Sequence, residues 1–156
     1  IHVSAKEVEF WETPDFTQTV MPAPVPDVLR ATANQFINDY RRQVRTFEDE
    51  YEVAPGVVVK LTGGHTPGHS IVYVNSGGER LTFAGDALFP VAFEHPEWHN
   101  GFEHDPEESV RVRMRLMREA AASGEWFVAT HLPFRSVGRV AVDGDAFRWI
   151  AAFWDY

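Results

Sequence analysis

Residues 63–70 read GGHTPGHS, which sets His65 and His69 four positions apart around Pro67 and Gly68. On a helix that spacing would put two imidazoles on one face, but proline lacks the amide hydrogen that a helix interior uses and glycine is a poor helix former. The segment is therefore a turn. Runs of β-branched and apolar residues flank it, Gly56 to Leu61 before and Ser70 to Val74 after, so one strand enters the turn and another leaves it. Arg80 to Phe83 and Trp126 to Ala129 carry the same signature and predict two more strands.

Between these last two, Asp105, Pro106, Glu107 and Glu108 supply an N-cap, a proline at the first helical position and acids in the first turn, and Gly124 supplies a stop. Val110, Met114, Met117 and Ala121 recur on one side of this helix and read as core. Toward the amino terminus, Ser4 with Glu7 is a capping-box pair opening a short helix that ends near Pro14 and Asp15. Met21 to Pro26 form a connector. Asp27 then caps a longer helix over 28–45, in which Val28, Leu29, Ala33, Phe36, Ile37, Tyr40 and Val44 give one buried stripe. The acidic run from Phe47 to Glu52 reads as a solvated loop. Gly138 to Val142 and Ala146 to Ala151, joined through Asp143 and Gly144, form a hairpin, after which Phe153, Trp154 and Tyr156 dock on the body. The class is mixed α/β, with no internal repeat and no second domain.

A length of 156 residues with 44% hydrophobic and 24% charged content suits one domain with a core of its own. The net charge is −9 and the 14 Lys and Arg are scattered, which argues against a grip on nucleic acid or on an anionic membrane. No stretch resembles a membrane span. The chain has no Cys, so disulfides and thiolate metal sites are excluded. Aromatic content of 13% suits either an aromatic core or a surface made to meet a partner. The chain opens on strand-like Ile1, His2 and Val3, as though mid-fold. A cytoplasmic location is favoured, and a signal peptide, if a parent protein has one, would lie upstream of Ile1.

Three residues with metal-ligand side chains come just past apolar strands. His69 follows VVVKLTGGHTPG, Asp86 ends LTFAGD and His131 ends WFVATH. In layered α/β folds, sites assemble at the carboxyl ends of strands, where the backbone leaves the sheet and can aim a side chain into a crevice. Two imidazoles and a carboxylate suit Zn2+, Mn2+ or Fe2+. Each residue alone also has a structural reading: a histidine after a strand packs or bonds locally, and Asp86 can cap the turn that follows.

Taken in order, HTPGHS, LTFAGDALF and ATHLPF resemble the later metal-binding motifs of the metallo-β-lactamase-fold hydrolases, from about Gly56 to Val140. The opening IHVSAKEVEFW also looks like the stretch that follows the first metal motif in that family. The resemblance implies part of an αββα sandwich, its C-terminal half with linker helices. It implies His69 as a ligand of the first metal, Asp86 as the carboxylate bridging two metals and as the catalytic residue, and His131 as a ligand of the second. His65, Thr66 and Ser70 would support the turn. The loop after Asp86, with Phe89, Phe93, His95, Trp98, His99 and Phe102, would either wall a substrate pocket or pack against the body.

The family's H-x-H-x-D-H motif is absent, since His95, His99 and His104 have other spacings and His2 stands alone. Residues 1–156 are therefore expected to be a single incomplete domain, inactive alone, that associates with its missing N-terminal half or with itself. In the complete protein the resemblance implies a zinc hydrolase with two metals activating water against a small-molecule ester, lactone, thioester or phosphotriester, the lactone- and organophosphate-hydrolysing branch being most similar. Two alternatives remain: a metal-free binding or assembly module on the same fold, and a mononuclear iron enzyme acting on thiol esters or persulfides.

Overall fold

The computed structural model describes residues 1–153. In chain order the elements are β1 (His2–Ser4), α1 (Ala5–Glu12), α2 (Val25–Tyr40), β2 (Arg45–Phe47), β3 (Glu50–Ala54), β4 (Val57–Leu61), β5 (Ser70–Ser76), β6 (Glu79–Phe83), α3 (Pro106–Ser123), β7 (Trp126–Val128), β8 (Val137–Asp143) and β9 (Ala146–Ala151). Short 3-10 turns at Gly85–Ala87 and Pro90–Phe93 lie between β6 and α3.

β3 to β9 form one seven-stranded sheet in sequence order, antiparallel except at β6–β7, which are parallel and joined by the α3 crossover. The tight turns use glycine where the backbone requires it. Gly56 has φ 78°, and a Cβ there would lie 2.3 Å from the Asn75 carbonyl oxygen, while the Asn75 amide donates to the Gly56 carbonyl at 2.7 Å. β1 and β2 make a separate parallel pair. The result is a mixed α/β architecture around a large sheet.

α3 covers one face of that sheet. Asp105 caps it through the Glu108 amide at 2.9 Å, and Gly124 ends it at φ 66°. Ile71, Leu88, Leu116, Met117 and Phe127 are almost fully buried between helix and sheet. Each contributes on the order of 1.5–3 kcal/mol by leaving water. The buried arc of the helix is shifted from the apolar stripe: Ser109, Val112, Arg113, Leu116, Met117 and Ala120 are buried, while Met114 and Ala121 are half-buried against the core and Val110 is half-buried. The reason is Arg113. Its guanidinium pairs with buried Glu103 and donates to the Trp98 carbonyl, so a charged residue occupies a core position and rotates the buried arc.

The opposite face carries apolar rows across the strands. Val72 pairs with Phe83 and Phe83 with Val128, and Val74 pairs with Leu81 and Leu81 with Trp126. These residues are half-buried or exposed.

Four expectations are corrected. The second helix is Val25–Tyr40, capped at Pro24 rather than Asp27, and it stops before 41–45 because Arg45 is drawn into β2, its amide donating to the Ile1 carbonyl at 2.8 Å. Its apolar stripe is not buried: Val28, Leu29, Phe36 and Tyr40 are 36–56% exposed, since α1 lies along only part of it. The acidic run is not a plain loop, because Phe47 is buried at the end of β2 and Glu50 to Glu52 pair with β4 as an exposed edge strand. Phe153 does not dock, being 79% exposed with the Arg135 guanidinium 5.5 Å from its ring centroid. Trp154 and Tyr156 fall outside the described residues. Among the described residues, no helix is long and apolar enough to cross a membrane.

Candidate metal centre

The histidine turn is held from three sides. Its ends close on themselves, the His69 carbonyl accepting from the Thr62 and Gly63 amides at 2.8 and 3.0 Å. On one flank the start of α3 packs so closely that a Cβ on Gly64 would lie 2.9 Å from Ser109. On the other, a Cβ on Gly68 would lie 2.2 Å from the Glu7 nitrogen of α1. Pro67 and the glycines therefore place backbone where side chains would not fit.

This packing fixes the His69 ring. Its Nδ1 lies 2.7 Å from Thr62 Oγ1, and its Nε2 accepts from the Asp86 amide at 3.2 Å. An acceptor at Nε2 assigns the proton to Nδ1, so the ring shows an Nε2 lone pair to the loop that carries Asp86. Burial pushes the His69 pKa down to about 4, with neighbouring His65 acting in the same direction, so the ring is neutral near pH 7. Gly85 permits the approach, since a Cβ there would sit 3.0 Å from His69 Nε2.

Asp86 and His131 meet at the parallel seam. Past the strand ends, the Ala84 amide donates to the Val128 carbonyl at 2.7 Å and the Thr130 amide to the Gly85 carbonyl at 3.1 Å, lacing the two loops together. Asp86 then lies between two imidazoles: His131 Nε2 is 3.3 Å from Oδ1, and His65 Nε2 is 3.5 Å from Oδ2. Burial lowers the His65 pKa, opposed by the Asp86 charge. The Phe89 ring stacks on His131 at 5.0 Å and 16°.

The structure thus gathers His65, His69, Asp86, Phe89 and His131, with Thr66 and Ser70 on the same turn. Of the remaining pocket candidates it keeps Phe102 on the cavity wall and disperses the others. Phe93 is core, 5% exposed and packed on Trp149, because its 3-10 turn points it under the sheet. His95 and Trp98 stack on each other at 3.9 Å and 6°, away from the cavity. His99 faces Glu107 at 3.4 Å. The cavity beside the turn, about 390 Å³, is walled instead by Trp11, Phe16, Met21, Leu29 and Phe102, with His65, His69 and Asp86 at one side. The sequence reading missed Glu7 and Thr62. Thr62 was the more visible, as a hydroxyl at the mouth of the turn.

As a metal site the donors fit in kind, and the 3.3 Å separation of His131 and Asp86 is the spacing of two ligands on one cation with bonds of about 2 Å. The assembly is partial, because no group of three or more His, Asp or Glu is arranged to hold a metal among the described residues.

No curated protein matches the chain. AidC, a dizinc quorum-quenching lactonase, superposes with TM-score 0.89 at 19% identity, over 100% of this chain and 55% of its own. AbOPH, a hydrolase in the beta lactamase superfamily, gives 0.80 at 27% identity, over 99% and 55%. A probable metal-dependent hydrolase from Staphylococcus aureus gives 0.74 at 22%, over 97% and 51%. The chain spans about half the length of these structures. The profile of the metallo-beta-lactamase superfamily matches residues 1–131. With its turn, its seam and most of its length accounted for by that profile, the chain belongs to the metallo-β-lactamase superfamily.

Proposed function

We propose that this chain forms the C-terminal portion of a metal-dependent hydrolase domain, which in the complete protein cleaves an ester, lactone, thioester or phosphotriester. One observation carries the reading: two imidazoles approach the two oxygens of a single carboxylate at the open seam, with the His69 lone pair directed at the same loop. The hydrolase AbOPH, at 27% identity, supports the reaction class, and the zinc named for AidC makes zinc the metal to test first.

His69, Asp86 and His131 would hold the metal, and Mn2+ or Fe2+ would suit the same donors. A bound metal would supply Lewis acidity and lower the pKa of water. Asp86 has one oxygen toward His131 and the other toward His65, and with two metals bound it would be the carboxylate shared between them. His65 limits the swing of Asp86, and Phe89 limits that of His131. The 390 Å³ cavity has the size of a small-molecule site, with an apolar wall for the part of the substrate that does not react.

The test is to isolate the full gene product, count its zinc by mass spectrometry and assay an acyl homoserine lactone, an aryl ester, an aryl phosphotriester and an acyl thioester. Hydrolysis that chelation abolishes and zinc restores is expected, falling by more than about 100-fold in Asp86→Ala, because even residues behind the ligands are worth about 10–100-fold. A zinc-loaded product inert toward all four substrates would overturn the proposal. The metal-free binding-module reading draws on the lack of a three-donor group among the described residues; a full gene product that takes up no zinc would favour it.

A further inference from the structure

We infer that Glu7 is the positioning residue of the histidine turn, a carboxylate on α1 that clamps Thr66 and Gly68 so that His69 is held in place beside Asp86. The inference rests on the reading of His69 as a metal ligand given above. Glu7 Oε2 accepts from Thr66 Oγ1 at 2.6 Å and from the Gly68 amide at 3.1 Å, while Oε1 accepts from Trp11 Nε1 at 2.8 Å. Both oxygens are thereby engaged, and Gly68 is the residue whose peptide leads directly into His69.

The arrangement is specific in two respects. First, these bonds are not part of the helix cap. Ser4 Oγ caps α1 by accepting from the Glu7 amide at 3.1 Å, and the same hydroxyl donates to the Gly68 carbonyl at 2.8 Å, so both peptide groups flanking Gly68 are tied to α1. The Glu7 side chain instead leaves its helix to reach a turn 59 and 61 positions away. Second, the chemistry calls for a carboxylate, which accepts at both oxygens and donates at neither. Glutamine can keep its single oxygen on Thr66 and Gly68 only by turning its NH2 on the Trp11 N–H, so it loses one side of the clamp in either orientation, whereas alanine loses both.

What Glu7 acts upon is the ring geometry. The contacts of His69 with Thr62 and with the Asp86 amide both depend on where the His69 backbone sits. A looser turn would let the ring exchange tautomers and would move Nε2 off its line. Glu7 touches neither reacting atoms nor the metal in this account; it acts through His69.

The measurement is proton–nitrogen NMR of the histidine rings in the metal-free full gene product, for wild type, Glu7→Ala, Thr66→Val and Thr66→Ser, with zinc affinity by competition titration. In wild type, His69 should be a single tautomer protonated at Nδ1. In Glu7→Ala and Thr66→Val its signals should move toward a tautomer mixture, and zinc affinity should fall by about 10–100-fold; Thr66→Ser, which keeps the hydroxyl, should preserve both. Thr66→Val leaves α1 untouched, so it tests the clamp even if Glu7→Ala fails to fold. Ring signals unchanged in both variants would overturn the clamp whatever zinc does. Ring signals that move in a protein whose wild type binds no zinc would uphold the clamp and overturn the hydrolase reading.

Discussion

Thr62 decides which nitrogen His69 offers. Its hydroxyl sits 2.7 Å from Nδ1 and also donates to the His69 carbonyl at 3.0 Å, so it is already committed as a donor and takes the ring proton as an acceptor. Thr62→Val should free the ring to protonate at Nε2 and lower the zinc affinity of the full gene product by about 10–100-fold, read by competition titration. An affinity within twofold of wild type would refute this role. Gly68→Ala should cost on the order of 1–3 kcal/mol, measured as a lower denaturant midpoint at constant slope, because the added methyl meets α1 backbone at 2.2–2.4 Å. Asp86 and His131 were legible in the sequence because each comes three positions past a strand, and His69 because it ends the Pro-Gly turn that leads into β5, all local patterns. Glu7 was visible only as half of a capping box, since its partners Thr66 and Gly68 lie far along the chain and nothing local marks them.

Among the elements, α3 shows what a pattern can and cannot reveal. Its ends follow from Asp105, Pro106 and Gly124, whose preferences are local. Its buried side does not, because a stripe of apolar residues counts Arg113 as surface while the fold buries it against Glu103. That pair anchors the 98–103 loop, including Phe102 on the cavity wall, to the helix. Removing one partner strands the other charge out of water. Glu103→Ala or Arg113→Ala should therefore each cost about 3–5 kcal/mol, and replacing both with Leu and Met should cost less than either single change. Chemical denaturation of the three variants decides it; a double variant as damaged as the sum of the singles would contradict the argument. The second helix was recognised but misplaced, since β1 competes for Arg45 through a pairing that periodicity does not register.

At the scale of the molecule, one side of the sheet is packed beneath α3 while apolar residues on the other side and along α2 face outward. Lysines at Val28 and Phe36 should raise the concentration at which the chain precipitates and shift its unfolding free energy by no more than about 0.5 kcal/mol each, because neither side chain is buried. A large loss of stability would mean that Phe36 contributes more than its surface pairing with Tyr40. The parallel seam has a consequence in time as well as in space. β3–β6 and β7–β9 are two meanders whose strands pair with their chain neighbours, and among the described residues they join only where β6 meets β7, across the whole of α3. Contacts near in sequence form fast and distant ones slowly, so the meanders should zip up first and the seam last. Asp86 and His131, one from each meander, would then become neighbours at the final step of folding, and a chain with only the first meander formed would hold Asp86 beside His65 and His69 without the imidazole of His131.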